Sequence, residues 1–548
     1  MRTLVLALAA AAVAAPLSAQ QQTFTRADSL RGSYTSPTRA WWDVTFYDLH
    51  VAVSPGDSSL RGWNGITYRV LGPARELQLD LMEPLVVDSV VQDGRRLAVR
   101  REGAAHFVTL ASPQPVGAHR TITAYYHGRP QVATNPPWDG GITWARDSAG
   151  RPWIVTTDQG MGASVWWPNK DTQADEPDSQ RVALRVPDPL IAVANGRRRA
   201  TTKHDDGTTT YEWFVSSPIN NYAIAINAAH YVGWTETYQG ERGPLTLDFW
   251  ALDRHVDDAK RQWTQVRPML QCFERWFGPY PWYEDGFKLV EVPYLGMEHQ
   301  SAVTYGNRFR NGYLGRDLSG TGLGLAWDFI IIHEAAHEWF ANAITAKDQA
   351  DMWVHESFAN YAEGIYTECQ QGKEAGARYM VGLRRGIRND RPIIPPYGVN
   401  AEGSGDMYNK GGNMLHTIRQ LVNDDAKWRG VLRGLGATFG RQTVTGQQIQ
   451  DHIARESGLD LRRVFAQYLT TTMIPTFEWQ AAGDSIRYRW TTVVPGFDMP
   501  VRAQLDGATW TTLRPTEQWQ SMPGRGEPTV DENYYVRVRQ ASPPVEKR

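Results

Sequence analysis

Two histidines four residues apart, with a glutamate between them, stand at His333-Glu334-Ala335-Ala336-His337, and a further glutamate, Glu356, follows after eighteen intervening residues. On a helix, positions four apart return to almost the same azimuth, so His333 and His337 face one side and can grip a single metal ion. Glu356 lies in a second helix-like run, Trp353-Val354-His355-Glu356-Ser357-Phe358, and supplies a third, anionic donor. Two imidazoles and one carboxylate leave a fourth position open for water, the pattern of a catalytic rather than a structural Zn2+ site, with one ion per chain. Glu334, beside the ligands, is placed to act as general base. An amphipathic helix with two polar-face histidines would show the same five letters. Here the run Trp327-Asp328-Phe329-Ile330-Ile331-Ile332 leads into them, which predicts a buried helix, where histidine and glutamate are costly unless paired or metal-bound.

The elements that must position these residues follow from the pattern along the chain. With 548 residues, several domains are expected, because single cores stop growing near ~250–300 residues. From residue 41 to 235 short alternating runs are broken by turn residues, as in Tyr47-Asp48-Leu49-His50-Val51, with Asp93-Gly94 and Asp206-Gly207 as hairpin turns. This predicts an N-terminal β-sandwich-like domain. From 236 to 474 the period becomes helical and contains the metal motif; from 475 to 548 alternation returns, as in Ser485-Ile486-Arg487-Tyr488-Arg489-Trp490, and predicts a small C-terminal β domain with a charged tail. The fold class is therefore multidomain α+β. Gly320-Thr321-Gly322-Leu323-Gly324 lacks the Lys-Ser/Thr ending and preceding strand of a phosphate loop and is read as a lead-in to the metal helix.

Residues 1–19 combine a positive start, an apolar stretch from Leu4 to Leu17 and small residues before Gln20, which reads as a secretory signal peptide, with 20–40 a lead-in to the first domain. The protein is expected to be exported, periplasmic or extracellular. No later segment is long and apolar enough for stable membrane insertion, and a net charge of −2 gives no footing for nucleic acid. Cys272 and Cys369 are too few for a disulfide framework or a thiolate metal site; two free, buried thiols are the default, while export would permit a bridge that the sequence does not decide. The 22 tryptophans are scattered, and are expected mainly in packing, with a minority lining a cleft.

Four elements in order carry a resemblance to a known family. The run from His333 to Phe340 followed by Trp353 to Glu363, the segment Gly296-Met297-Glu298-His299, the segment Tyr408-Asn409-Lys410-Gly411, and Gln159 upstream of Trp167-Pro168 and Asp175-Glu176-Pro177 together resemble the gluzincin aminopeptidases, the group of aminopeptidase N and leukotriene hydrolase. The resemblance implies a thermolysin-like catalytic domain and a zinc-dependent aminopeptidase acting on peptides with a free N-terminus through zinc-activated water. Glu298 would bind the substrate's ammonium by charge-assisted hydrogen bonds within the Gly296-Met297 segment, Gln159 would assist as a neutral acceptor, and Tyr408 would donate to the oxyanion. Glu363, two turns beyond Glu356, faces either a ligand histidine or solvent. His299 and His355 stand where the family usually has asparagine and are expected to bring extra imidazoles near the substrate. Two other functions fit the resemblance: an epoxide or other hydrolase of the leukotriene hydrolase type, and an inactive peptide-binding relative, against which all of His333, Glu334, His337, Glu356 and Tyr408 are present.

Overall fold

The structure, a computed structural model, describes residues 23–541. The expected leader, residues 1–19, and the Pro543-Pro544 end of the tail lie outside the described residues. Within the 20–40 lead-in, Arg26–Gly32 is a helix opened by a reciprocal cap between Thr25 and Asp28.

The N-terminal region is β-rich, with sheets of eight, four and three strands. Its longest strand, Trp42–Ser54, alternates buried and partly exposed positions and pairs antiparallel with Ser59–Val70 and parallel with Ser179–Pro187. Apolar faces of the three sheets meet in one core that includes Tyr47, Leu79, Ile154 and Leu184. Asp93 and Gly94 both take positive φ (50° and 74°), as a two-residue hairpin requires between Val86–Gln92 and Arg95–Arg96. The strand Pro152–Thr157 belongs to the four-stranded sheet and delivers the chain to Asp158 and Gln159.

A five-stranded sheet opens the metal-binding region, in the order Tyr231–Gly240, Gly243–Leu252, Phe287–Glu291, Val303–Tyr305, Gly296–Met297. Its first hairpin pairs from Tyr231↔Leu252 to Gly240↔Gly243. The boundary expected between 235 and 236 therefore falls inside a strand, and the region begins at about Tyr231. Alternation in a sequence marks a strand but not the sheet it joins, so the switch was invisible there. Gly296–Met297 is the sheet's edge, antiparallel to Val303–Tyr305.

Val266–Phe277 and Phe329–Ala336 pack against this sheet, Trp353–Gln371 packs on both of those helices, and Asn409–Val422 packs on Trp353–Gln371. Strands from Thr476–Ala482 onward form a four-stranded and a three-stranded sheet. Phe477, Trp490 and Val501 of those sheets share one core with Trp327, Trp353 and Phe358 of the helical region, so the C-terminal β unit is built onto the helices rather than around a core of its own. Trp166, Trp167, Trp327 and Trp353 are fully buried, in keeping with a packing role, whereas Trp138 is 65% exposed. Among the described residues no helix is long and apolar enough to cross a membrane.

The two cysteines, whose pairing the sequence left open, meet in the fold. Cys272 and Cys369 are joined in a disulfide, with Cα atoms 6.1 Å apart. They sit on Val266–Phe277 and Trp353–Gln371, two helices that pack together. A sequence separation of 97 residues gives no hint of that juxtaposition.

Candidate metal centre and cleft

Asp328 starts the motif helix Phe329–Ala336, its Oδ1 accepting from the Ile330 N–H at 3.1 Å. The helix breaks just beyond His337. Phe340 and Ala341 leave helical conformation, Ala341 with φ of 140°, a strained value for a residue with a Cβ. The break turns the Phe340 carbonyl back to within 2.9 Å of His337 Nδ1. His333 Nδ1 lies 2.8 Å from Glu363 Oε1, which resolves the alternatives for Glu363 in favour of the ligand histidine. A carbonyl and a carboxylate accept, so each imidazole donates from Nδ1 and presents its lone pair at Nε2.

Those two Nε2 atoms stand 3.7 Å (His333) and 3.4 Å (His337) from Glu356 Oε2, and the three donor atoms lie within 4.8 Å of one another. Glu356 Oε2 is buried and has no hydrogen-bond partner among the described residues. An ionised oxygen so placed is costly unless a cation sits among the donors. The donor set therefore fits Zn2+, for which two imidazoles and a carboxylate are suitable ligands. A second grouping, Glu298, Glu334 and His337, is equally compact. It is the poorer choice, because Glu298 Oε1 already accepts hydrogen bonds from Gln159 and Tyr222.

Glu298 follows the edge strand and is buried, and burial pushes its carboxyl up to about 7. The Gln159 side-chain amide donates to Glu298 Oε1 and, at 3.1 Å, to Glu356 Oε1. It therefore bridges the candidate amine reader and a metal ligand. Gln159 acts here as a donor, where the sequence reading had its oxygen as an acceptor for the substrate. Gly296 has a steric reason: a Cβ there would lie 2.6 Å from Ile330 Cγ2 and 3.3 Å from Glu334 Cγ, so its absence lets the edge strand lie against the motif helix. Gly296, Met297, Glu298, Gln159, Glu334 and Tyr408 all line one cleft of about 620 Å³ with the three metal donors. Exposed Trp138 lines it too, giving the minority cleft role expected for tryptophan.

The Tyr408 ring stacks on His333, with centroids 6.0 Å apart, and its hydroxyl makes no hydrogen bond among the described residues. Burial, reinforced by Glu356 and Glu298, holds the phenol well above its ordinary range, so it stays protonated. Burial likewise raises Glu334, against the pull of His333 and His337.

His299 and His355 do not bring extra imidazoles to the cleft. Both are fully buried, and neither lines the cleft. His355 Nε2 accepts from the Ala346 N–H at 2.8 Å, and His299 packs 4.0 Å from Asp158. Burial pushes both down to about 3, so they are neutral. The reason is geometric, because the next residue on a helix points about 100° away and the next in an extended segment points to the opposite face.

Several partners escaped the sequence. Tyr222 donates to Glu298 Oε1 at 3.3 Å, Tyr379 to Glu363 Oε2 at 2.7 Å, and Asn342 Nδ2 to the Glu298 carbonyl at 2.8 Å. None belongs to a spaced motif; only the fold brings them in.

With this geometry in hand, comparisons with known proteins are specific. Residues 262–468 match the model of the peptidase family M1 domain. The chain is 28% identical over 433 residues to human aminopeptidase B, covering 72% of this chain and 62% of that protein. It is 24% identical over 237 residues to a probable aminopeptidase 1 of Sulfurisphaera tokodaii, covering 41% and 30%. The chain thus spans less than two thirds of the length of these relatives. A crystal structure of an M1 zinc metallopeptidase from Deinococcus radiodurans superposes with a TM-score of 0.67 at 22% identity, covering 82% of this chain and 97% of that one. A mutant of the Deinococcus protein has been crystallised with a Tyr-Ser-Ala substrate, with a TM-score of 0.67 and coverage of 82% and 98%.

Proposed function

Because residues 262–468 are a peptidase family M1 domain, we propose that the chain is a zinc-dependent aminopeptidase that removes residues from the free amino end of peptides. One observation carries the reading. The Gln159 amide joins Glu298 to Glu356, setting a buried carboxylate for a chain-terminal ammonium at a fixed place beside the metal donors. The names of the relatives and the tripeptide held by the Deinococcus protein support the same substrate class.

His333, His337 and Glu356 would hold the zinc, which supplies Lewis acidity toward a carbonyl and lowers the pKa of water toward ~7. Glu298 pairs with the substrate ammonium, and Gln159 and Tyr222 fix the orientation of its carboxylate. Glu334 takes the proton of the attacking water and passes it to the leaving amine. Tyr408, protonated and without a competing partner among the described residues, donates to the oxyanion that develops on the scissile carbonyl. Glu363 and the Phe340 carbonyl hold the two imidazoles in the tautomer the metal needs. The exported location expected from residues 1–19 belongs to the same proposal. The Cys272–Cys369 bridge supports it, since disulfides persist in oxidising compartments.

The test is a pair of peptides differing only in acetylation of the N-terminus. Pairing an ammonium with a desolvated carboxylate contributes about 1.5–3 kcal/mol, so the free peptide is expected to be cleaved at least ~10-fold faster. Equal rates would replace an aminopeptidase with an endopeptidase.

A further inference from the structure

Two polar side chains that the proposed chemistry does not use lie directly behind the amine readers. Asp158 precedes Gln159 at the end of the strand Pro152–Thr157, and His299 follows Glu298 just beyond the edge strand Gly296–Met297. Both are fully buried. Neither lines the cleft, whereas Gln159 and Glu298 do. Neighbours along an extended segment point to opposite faces, so each of these dipeptides gives one side chain to the cleft and one to the interior. The contact of Gln159 with Glu298 on the cleft side is thereby repeated on the inner side, where Asp158 Oδ1 stands 4.0 Å from His299 Nε2.

Nothing else satisfies this inner pair. Asp158 Oδ2 accepts from Trp166 Nε1 at 3.0 Å, but Oδ1 and both nitrogens of His299 have no hydrogen-bond partner among the described residues. Buried polar atoms left so are costly, and the two side chains offer each other the remedy. Burial, against the Trp166 bond and with the charges of Asp171 and Glu298, holds the Asp158 carboxyl well above its ordinary range, while burial pushes His299 down to about 3. A neutral acid has one O–H to donate, and a neutral imidazole has one nitrogen to accept it. The main chain on either side is tied across the same seam: the Tyr294 hydroxyl donates to the Thr156 carbonyl at 3.0 Å, and Asn195 Nδ2 to the Gln300 carbonyl at 2.7 Å.

We propose that Asp158 and His299 are positioning residues for amine recognition, joined by a hydrogen bond from the Asp158 carboxyl to the His299 ring that keeps Gln159 and Glu298 in register. This rests on the aminopeptidase reading and adds to it the pair that sets its amine pocket. Closing 4.0 Å to the ~3 Å of a hydrogen bond takes about 1 Å of side-chain movement. A carboxyl that stays neutral at this place also spares Glu298 a further buried anion beside the ammonium site.

The experiment measures kcat and KM for an aminoacyl arylamide, and the preference for free over N-acetylated peptide, in the zinc-loaded full chain and its variants. His299→Ala and Asp158→Ala should each raise KM for the arylamide at least ~5-fold, leave kcat within ~3-fold and narrow the preference for the free peptide, because a loosened Glu298 weakens amine binding more than bond breaking. The double variant should match either single one within ~2-fold, as expected of two partners in one bond. Asp158→Asn should recover most of the loss, since an amide donates to the ring and accepts from Trp166 without a charge. A purely structural role would lower the melting temperature without separating KM from kcat. Wild-type KM in either alanine variant, losses that multiply in the double variant, or an Asp158→Asn enzyme as impaired as Asp158→Ala would overturn the inference. The Asp158 variants keep the imidazole and carry the test if His299→Ala does not fold. If the wild type cleaves free and acetylated peptides equally, the aminopeptidase reading fails and this inference with it; if wild type and variants share one amine preference and one KM, only the inner pair is lost.

Discussion

At the residue scale the centre depends on which nitrogen of each imidazole carries the proton. His333 is held by a carboxylate at 2.8 Å and His337 by a carbonyl at 2.9 Å, so both rings turn Nε2 toward Glu356. Glu334 belongs to the same helix but is not one of these donors, and that separation of roles can be measured. Glu334→Gln should retain about one equivalent of metal while kcat falls by at least ~10², because the acceptor of the water proton is gone and the ligands remain. Loss of the metal along with the activity would place Glu334 among the ligands instead. The three metal donors were legible in the sequence because helix periodicity puts the two histidines on one face and Glu356 lies in the next helical run. The effects of His299 and His355 were not, because adjacency in sequence to Glu298 and Glu356 says nothing of which way a ring faces, and both turned into the protein.

At the scale of elements, the helix that begins at Asn409, just after Tyr408, must approach the helix that carries Glu356, and glycine makes this approach possible. A Cβ on Gly411 would sit 1.9 Å from Ser357 Oγ and 2.8 Å from Ser357 Cβ, one residue away from the ligand. Gly411→Ala should therefore destabilise the fold by about 1–3 kcal/mol through overpacking, and should lower kcat by displacing Tyr408. A denaturation midpoint and kcat both at wild-type values would show that the two helices do not depend on this approach. The Tyr408–Gly411 segment was recognisable as a motif, yet its glycine's reason became visible only in the packing of two helices. The break after His337 was equally hidden, because nothing in the composition of Glu338–Asn342 marks the positive φ of Ala341 that turns the Phe340 carbonyl toward the imidazole.

Across the whole molecule, the Cys272–Cys369 bridge encloses the motif helix, the edge strand and Glu356 in one covalent loop. Closing a loop of this length restricts the unfolded chain, so replacing both cysteines by alanine should lower stability by ~2–5 kcal/mol, read from the denaturation midpoint under oxidising conditions. An unchanged midpoint would mean that the helices alone hold the loop. The order of β-rich, helical and β-rich regions was legible from the change of period along the chain. The bridge, the place of the first boundary and the shared core of the last two regions were not, because each depends on contacts between distant segments. One consequence follows from the position of Gln159. It enters from the N-terminal sheets, outside the matched segment 262–468, and reaches Glu356 with a single 3.1 Å contact. In the proposed reading, the zinc region houses both the bond-breaking apparatus and the amine-reading Glu298, while its neighbour lends the amide that aims that carboxylate. A small rotation between these two regions would leave the scissors intact and blur the ruler, making domain orientation itself a determinant of which bonds are cut.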